Sequence, residues 1–259
     1  MSVITETRGH IFLIGVNRPQ KYNAFNLEVI DAFSRAYEEL GTNPELRVGV
    51  VYAVGDHFSA GLDLAEVGAK VAEVGPSALA GDYKFDPWGM WAPPVPKPVV
   101  LAVQGISYTL TIELALASDI VVAAQDVRFR QLEIGRGILP FGGATLRATA
   151  QLGWGNAMRF LLTAQEFGAE EAYRIGLVQE VVAPGEQLER AVEIAEVIAA
   201  QAPMGVQETL ASARIARDQG EDAAREHLKE ALARIMVSED AAEGVRSFLE
   251  RREARFTGS

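Results

Sequence analysis

The fold is decided by residues 97–124, which read KPVVLAVQGISYTLTIELALASDIVVAA. Val99–Val103 is a short apolar run rich in β-branched residues, and this pattern predicts a buried strand. The apolar stretch Thr109–Ala117 predicts a helix, and Ile120–Ala124 predicts another buried strand. Because strands that alternate with helices usually pair in parallel, this stretch indicates an α/β fold.

The same alternation extends in both directions along the chain. On the N-terminal side, Asn26 can cap a helix whose apolar residues recur every three or four positions. A turn over Gly55–Gly61 leads into a helix that begins near Leu62. After a glycine-rich stretch, helices extend to about Ile175. The other predicted strands are Val3–Thr7, Ile11–Val16, Arg47–Ala53 and Leu177–Val182, and the apolar face of the first helix is Ile30, Phe33, Tyr37 and Leu40.

Residues 75–98 interrupt this alternation with a cluster of prolines and tryptophans. Proline removes a backbone donor and prevents regular helix, so the segment is predicted to be a loop or a broken helix. Two interpretations remain open: a surface excursion with its own aromatic cluster, or a segment that covers a pocket. The residues concerned are Pro76, Pro87, Pro93, Pro94, Pro96 and Pro98, with Trp88 and Trp91.

From Gln187 onward the pattern is only helical. One helix there has an apolar face that needs a surface to cover. We therefore expect a core over residues 1–195, which holds the site, and a C-terminal helical segment over residues 196–259. This segment either folds back on its own core or packs on a neighbouring subunit. The apolar face consists of Ala224, Leu228, Ala231, Leu232 and Ile235.

Composition and charge narrow the classes of function. The chain has 259 residues, enough for one large domain, and no cysteine, which excludes disulfides, thiolate metal sites and a cysteine nucleophile. The histidines have no metal-ligand spacing, so no metal site is predicted. No apolar run reaches about eighteen residues, and the start lacks a basic patch followed by an apolar stretch, so we expect a cytoplasmic protein without a membrane span. The formal net charge of −11 argues against nucleic acid as a partner.

Several common catalytic motifs are missing from the sequence. No Gly-x-Gly-x-x-Gly opens a helix after the first strand, and no Gly-x-x-x-x-Gly-Lys loop occurs. The Gly-x-Ser-x-Gly turn of serine hydrolases is absent as well. Dehydrogenase, nucleotide triphosphatase and serine hydrolase interpretations therefore lose their usual support.

A series of short segments does occur in one order across nearly the whole chain. They are Asn17–Asn26 (NRPQKYNAFN), Phe58–Leu64 (FSAGLDL), Lys97–Gly105 (KPVVLAVQG), Glu113–Asp119 (ELALASD), Phe129–Glu133 (FRQLE), Pro140–Gly143 (PFGG), Leu161–Thr163, Ala172–Val178 and Glu243–Phe256. Together they resemble the crotonase (enoyl-CoA hydratase/isomerase) family from end to end. The resemblance implies a spiral of repeated ββα units with a C-terminal helical segment, an acyl-CoA thioester as substrate, no further cofactor, and a homotrimer or hexamer.

Two glutamates carry the chemistry that the resemblance implies. Glu113 lies alone in the otherwise uncharged stretch Val99–Ser118, where a carboxylate is costly unless it is partnered or functional. Glu133 lies near Arg130 and Arg136, so its local sequence fits an ordinary salt bridge equally well. By resemblance, both are catalytic: two carboxyl groups can hold a water, accept its proton and deliver a proton to the substrate α-carbon. The expected activity is hydration of a trans-2-enoyl-CoA, or its reverse.

The resemblance also implies an oxyanion hole and a CoA-binding segment. The backbone N–H groups of Leu62 and Leu110 would stabilise negative charge on the thioester oxygen, and Leu110 would do so from a helix N-terminus. The charges expected to face the CoA phosphates are Arg18 and Lys21, which are equally compatible with solvated surface positions. The residues expected to border the adenine and pantetheine are Ala60, Asp63 and Leu64, together with Leu62.

Three segments of the chain depart from the family pattern. Thr109-Leu110-Thr111 stands where most relatives have glycines, Leu62 replaces a small residue, and Phe141 replaces a glycine. Each change adds bulk near the inferred acyl pocket, so the sequence predicts a short or otherwise unusual acyl group. Three alternatives remain open: a double-bond isomerase, another acyl-CoA lyase or hydrolase of the family, and a CoA-binding assembly protein that has lost turnover.

Overall fold

The computed structural model describes residues 1–79 and 81–259. The strands in this part of the chain are β1 (Val3–Arg8), β2 (Ile11–Val16), β3 (Val48–Ala53), β4 (Val99–Val103), β5 (Ile106–Tyr108), β6 (Ile120–Ala124), β7 (Arg128–Arg130), β8 (Phe167–Gly168) and β9 (Glu180–Val182). Six of them form one sheet in the order β1-β2-β3-β4-β6-β9. The β1–β2 pair is antiparallel and every other pair in this sheet is parallel. The predicted α/β class with parallel pairing is confirmed.

A second sheet joins β5, β7 and β8. The chain passes from β4 into β5 at Gly105, which has a φ of +51°. A Cβ at this position would lie 2.2 Å from the carbonyl oxygen of Asp56, so the step requires glycine. The sequence pattern did not predict β5 or β8, because strands of three and two residues are too short to show an alternating period.

The helices are α1 (Leu27–Thr42), α2 (Leu64–Val74), α3 (Leu110–Ala117), α4 (Ala144–Leu152), α5 (Trp154–Thr163), α6 (Ala169–Arg174), α7 (Gln187–Ala199), α8 (Pro203–Gln219), α9 (Glu221–Ile235) and α10 (Glu239–Glu250). Asn26 caps α1 as predicted, since its side chain accepts a hydrogen bond from the Val29 N–H. The helix predicted near Leu62 begins two residues later, because Leu62 pairs with Phe25 in an isolated β-bridge. The last strand begins at Glu180, three residues after the predicted Leu177.

The main sheet carries a hydrophobic core on each face. On one face, α1 and α3 contribute to a large cluster that continues into the second sheet. On the other face, Ala191, Val192 and Ala195 of α7 pack against strand residues such as Val50 and Val100. The predicted division at residue 195 therefore falls inside α7, which continues to cover the sheet as far as Ala199. The separation of a core from a C-terminal segment stays a prediction.

Arginines tie the C-terminal helices to the core, among them Arg214 of α8, which donates to the Val95 carbonyl at 2.7 Å and pairs with Asp119. Arg47 donates to the carbonyl oxygens of Ala199 and Phe256, at 2.9 and 2.8 Å. The predicted apolar face of α9 divides between two environments: Ala224 and Ala231 are buried, whereas Leu228 and Leu232 are exposed. None of the described helices is both long and apolar enough to cross a membrane.

Candidate active site

A pocket of about 160 Å³ lies at the N-terminus of α3. Four parts of the chain meet there: the segment before α2, the proline-rich segment, the start of α3, and the loop between β7 and α4. The lining is mainly apolar with few polar groups, a composition typical of small-molecule sites. The lining residues are Ala60, Leu62, Leu64, Leu79, Trp88, Trp91, Thr109, Leu110, Glu113, Leu132, Glu133, Arg136, Ile138, Phe141 and Gly142.

Glu113 enters the pocket from the first turn of α3 and is 3% exposed. Its Oε1 accepts hydrogen bonds from the backbone N–H groups of Gly142 (2.7 Å) and Ala144 (3.2 Å). Burial, followed by the negative charge of Glu133, raises the pKa of Glu113 to about 7, although both N–H groups act in the opposite direction. The carboxyl group is therefore held in place and titrates near neutral pH.

Glu133 begins a single 3₁₀ turn after β7 and is 8% exposed. Its Oε1 accepts a hydrogen bond from the Gln131 amide at 3.1 Å, whereas its buried Oε2 has no partner among the described residues. Burial raises the pKa of Glu133 to about 7. The salt bridge that its local sequence allowed does not form within the described part of the chain, since Arg130 donates to the Ala164 carbonyl instead.

Two backbone N–H groups accompany these carboxyl groups. Leu62 and Leu110 both line the pocket, and within residues 1–79 and 81–259 neither N–H has a hydrogen-bond acceptor. Leu110 is the first residue of α3, so its N–H also lies at the positive end of the helix dipole. Free donors of this kind beside an apolar pocket are suited to binding an oxyanion.

The residues that precede these two donors pack on each other. Gly61 has a φ of +99°, and a Cβ there would lie 2.0 Å from Oγ1 of Thr109. Thr109 itself has a φ of +49°, a conformation that L-residues adopt at a cost of about 1–3 kcal/mol. Thr109, which stands where the family pattern has a glycine, thus has a backbone conformation that glycine adopts more easily.

The bulky replacements seen in the sequence do not all reach the pocket. Leu62, Thr109, Leu110 and Phe141 line it. Thr111 is instead buried outside the lining, and its hydroxyl oxygen has no partner among the described residues. Four of the five replaced residues therefore line the pocket, and Thr109 also packs over Gly61.

The five predicted CoA-binding residues fall into two groups. Ala60 and Leu64 line the pocket. Arg18 and Asp63 form an ion pair with each other, Nη1 to Oδ2 at 2.9 Å, and Arg18 also donates to the Ala24 carbonyl. Lys21 is exposed in a 3₁₀ turn. Among the described residues, these three charged side chains are not part of the pocket lining.

Sequence reasoning missed several residues of the site. Trp88 and Trp91 line the pocket, and the carboxylate of Asp86 accepts the N–H groups of both and of Met90, which shapes this loop. The cluster of prolines and tryptophans was the available signal, and of its two interpretations the structure supports the pocket-covering one. Gln131 carried no comparable signal, because its bond to Glu133 depends on a turn that the local pattern does not predict.

Comparisons with known proteins agree with this architecture. A family model described as enoyl-CoA hydratase/isomerase matches residues 6–259. Enoyl-CoA hydratase EchA19 of Mycobacterium tuberculosis is 30% identical over 256 residues, which cover 98% of this chain and 95% of the relative. The short-chain-enoyl-CoA hydratase of Clostridium acetobutylicum is 31% identical over 254 residues, which cover 97% and 96% of the two chains.

A solved structure is similar over the full length. The crystal structure of a probable enoyl-CoA hydratase/isomerase from Mycobacterium abscessus superimposes with a TM-score of 0.95 and 45% identity, and the match covers 100% of this chain and 99% of that one. This similarity confirms the crotonase-like fold that the sequence motifs implied. The chain therefore belongs to the enoyl-CoA hydratase/isomerase family.

Proposed function

We propose that this protein adds water across the double bond of a 2-enoyl-CoA thioester, or removes it in the reverse direction. The observation that carries the proposal is the pair Glu113 and Glu133, which line one pocket and each have a pKa raised to about 7. Two such carboxyl groups can hold one proton and one negative charge between them. Hydration needs this combination, because one group acts as a base on the water and the other gives a proton to the substrate. The activities in the names of the relatives agree with this proposal.

The hydrogen bonds of the two carboxyl groups suggest different roles. Two backbone donors on Oε1 favour the ionised form of Glu113, which would orient a water and take its proton as the oxygen bonds to the β-carbon. The partnerless buried Oε2 favours the protonated form of Glu133, which would give its proton to the α-carbon. The pair gains one proton from water and loses one to the product, so its total charge is unchanged over a turnover.

The two free N–H groups would act on the negative charge that develops between the two proton transfers. When the oxygen of water bonds to the β-carbon, negative charge moves to the thioester oxygen before the α-carbon takes up its proton. The N–H groups of Leu62 and Leu110 would stabilise that charge, and losing one such donor typically costs about 10²–10³ in rate. Because the donors are backbone groups, the leucine side chains remain free to shape the acyl pocket.

The CoA portion of the substrate would follow the segment before α2. Ala60 and Leu64 border the pocket, so their backbone is where we place the pantetheine. Lys21, exposed and without an ion-pair partner in the described part of the chain, is the charge we assign to the CoA phosphates. Arg18 and Asp63 would shape this segment through their ion pair.

The proposed reaction needs no cofactor, because two carboxyl groups and two N–H groups supply both proton transfers and the charge stabilisation.

We further propose a homotrimer or hexamer assembled through residues 196–259. Apolar side chains of α9 and α10 extend into solvent, among them Leu228 at 51%, Leu232 at 59% and Phe248 at 81% exposure. A patch of this kind on a monomer usually marks an interface. A neighbouring copy that covers it would remove this area from water.

The proposed reaction is tested by following loss of the conjugated enoyl absorbance of crotonyl-CoA and identifying the product by mass. Glu133→Gln and Glu113→Gln should each lower turnover by about 10²-fold or more while CoA-ester binding changes only a few-fold. Glu170→Gln, on an exposed position of α6, is the control. Turnover like that of the wild type in Glu133→Gln would disprove its assigned role. A shifted double bond without gain of water would indicate an isomerase, and binding without conversion of any enoyl-CoA would indicate a binding protein.

A further inference from the structure

A second pocket, of about 360 Å³, shares Trp88 with the proposed active site. Its remaining walls come from Pro94, from the end of α3 with the two residues that follow it, from α4 and from α8. Three arginines converge on this space: Arg147 from α4, and Arg214 and Arg217 from α8. The proposed reaction uses none of them.

The acidic groups near these arginines are already engaged. Arg214 pairs with Asp119 at 3.2 Å, and Arg217 pairs with its neighbour Asp218 at 2.7 Å. The carboxylate of Asp86, the other acid close to Arg147, accepts three backbone N–H groups of its own loop. The negative charges of Asp86 and Asp218 act on Arg147 from a distance, but within the described residues no carboxylate forms an ion pair with it.

Of these three arginines, only Arg147 has no ion pair within the part of the chain that the structure describes. Within the described residues its one hydrogen bond goes from Nη2 to the Gly89 carbonyl, at a long 3.3 Å, while Nη1 is buried and has no acceptor. Burial and then the positive charge of Arg217 lower the pKa of Arg147, although the negative charges of Asp86, Asp218 and Glu113 act in the opposite direction. A half-buried guanidinium with unused donors is costly unless an anion accepts hydrogen bonds from them.

We propose that this second pocket binds a small oxyanion, a carboxylate or a phosphate, with Arg147 as its principal ligand. The fork of a guanidinium matches two oxygens of either group, and Arg214 and Arg217 add positive charge from α8. Gln151 also lines the pocket, and its amide nitrogen, which donates one N–H to the Leu116 carbonyl, keeps a second N–H for an anion.

The test measures binding of inorganic phosphate and of malonate to the full-length protein by titration calorimetry, at constant ionic strength in a chloride buffer. We expect saturable binding at one site per chain, weakened at least about tenfold in Arg147→Met, which corresponds to one charge-assisted hydrogen-bonded pair. Arg217→Met should weaken it about two- to fivefold, because this arginine is half-exposed and already paired. Arg225→Met, on an exposed arginine of α9 that is paired with two neighbouring acids, should bind like the wild type.

The controls separate this pocket from the proposed CoA site. Saturating CoA should leave the phosphate affinity unchanged, and so should Lys21→Met. Displacement of phosphate by CoA, or loss of binding in Lys21→Met alone, would assign the anion to the CoA site and overturn the proposal. Equal affinity in Arg147→Met and the wild type, or no saturable binding, would overturn it as well. If Arg147→Met does not fold, unchanged affinity in Arg217→Met overturns it and a two- to fivefold loss supports it.

Discussion

The indole Nε1–H of Trp88 donates a hydrogen bond to the carbonyl oxygen of Leu110 at 3.3 Å. The N–H of Leu110 is one of the two free donors in the pocket, so a tryptophan from the proline-rich loop holds the peptide that follows this donor. Trp88 is 5% exposed and packs edge-on against Phe25 and at a tilt against Phe33, with ring centroids 5.9 and 5.8 Å away. The loop and the first turn of α3 are thereby joined at the site where we expect an oxyanion.

Trp88→Phe should lower kcat about three- to tenfold and change KM less than about twofold. The phenyl ring keeps most of the packing but removes the donor to Leu110, and a typical hydrogen bond contributes about 0.5–1.5 kcal/mol. Steady-state kinetics with the best enoyl-CoA substrate would measure this, with Trp154→Phe as a control on a tryptophan that is 71% exposed. A rise in KM with kcat unchanged would show that Trp88 contributes to binding and does not position Leu110.

The pocket carboxyl groups should make the protein less stable as the pH rises. Because the pKa of Glu133 is raised from 4.5 to about 7 on folding, the native state binds more protons than the unfolded state between these values. Its contribution is therefore fully present below pH 4.5 and is lost as the pH rises through about 7, with the same sign for Glu113.

Glu133→Gln should remove part of this loss. Between about pH 5.5 and about pH 8, the unfolding free energy of the variant should fall by about 1–3 kcal/mol less than that of the wild type. Urea unfolding at equal protein concentration measures it, with Glu170→Gln as the exposed control. A variant that loses as much stability as the wild type between these two pH values would contradict a raised pKa for Glu133.

Gly61 and Thr109 should be energetically coupled. Gly61→Ala combines a positive φ with a Cβ placed 2.0 Å from Thr109 Oγ1, and we expect a loss of about 2–4 kcal/mol in unfolding free energy. In a Thr109→Gly background the steric part disappears, so the loss should shrink by about 1 kcal/mol or more. Gly153→Ala serves as the control, since Gly153 also has a positive φ but no atom lies within 4 Å of its added Cβ. Additive effects at positions 61 and 109 would argue against the contact.

The acyl pocket should favour short chains. Leu62, Leu110 and Phe141 all line it, and extra methylenes forced into a packed pocket cost about 1–3 kcal/mol. We expect kcat/KM to fall from four- to eight- to sixteen-carbon enoyl-CoAs, and Leu110→Gly to flatten this trend. If the sixteen-carbon substrate is the best for the wild type, the crowding argument is wrong. If Leu110→Gly leaves the preference unchanged, Leu110 does not determine it.

The exposed apolar face of α9 should hold an oligomer together. Light scattering at micromolar concentration is expected to give a multiple of the 28.0 kDa chain, and Leu232→Asp should shift the protein toward the monomer because it places a charge in the covered face. Glu230→Lys, on an exposed position on the opposite side of the same helix, should leave the assembly unchanged. A stable wild-type monomer would contradict the prediction.

The two glutamates differ in how far their own stretch of sequence explains their burial. The burial of Glu113 follows from its own segment, because an apolar helix that connects buried strands carries any charge it contains into the core. The segment of Glu133 holds two arginines and gave no such indication. Its burial depends on Gln131 and on the fold of the loop that follows, so only the family resemblance pointed to it.

The sequence by itself determined the features that depend on local pattern. Apolar runs located the long strands, Asn26 located the start of α1, and the order of short motifs identified the family. The tertiary structure alone decided which distant groups meet, as Trp88 does with Leu110 and Arg18 with Asp63, and it left Arg147 without an ion pair among the described residues. Periodicity is a property of neighbours along the chain, whereas a hydrogen bond or an unpaired charge depends on residues that come together only when the sheets and helices pack.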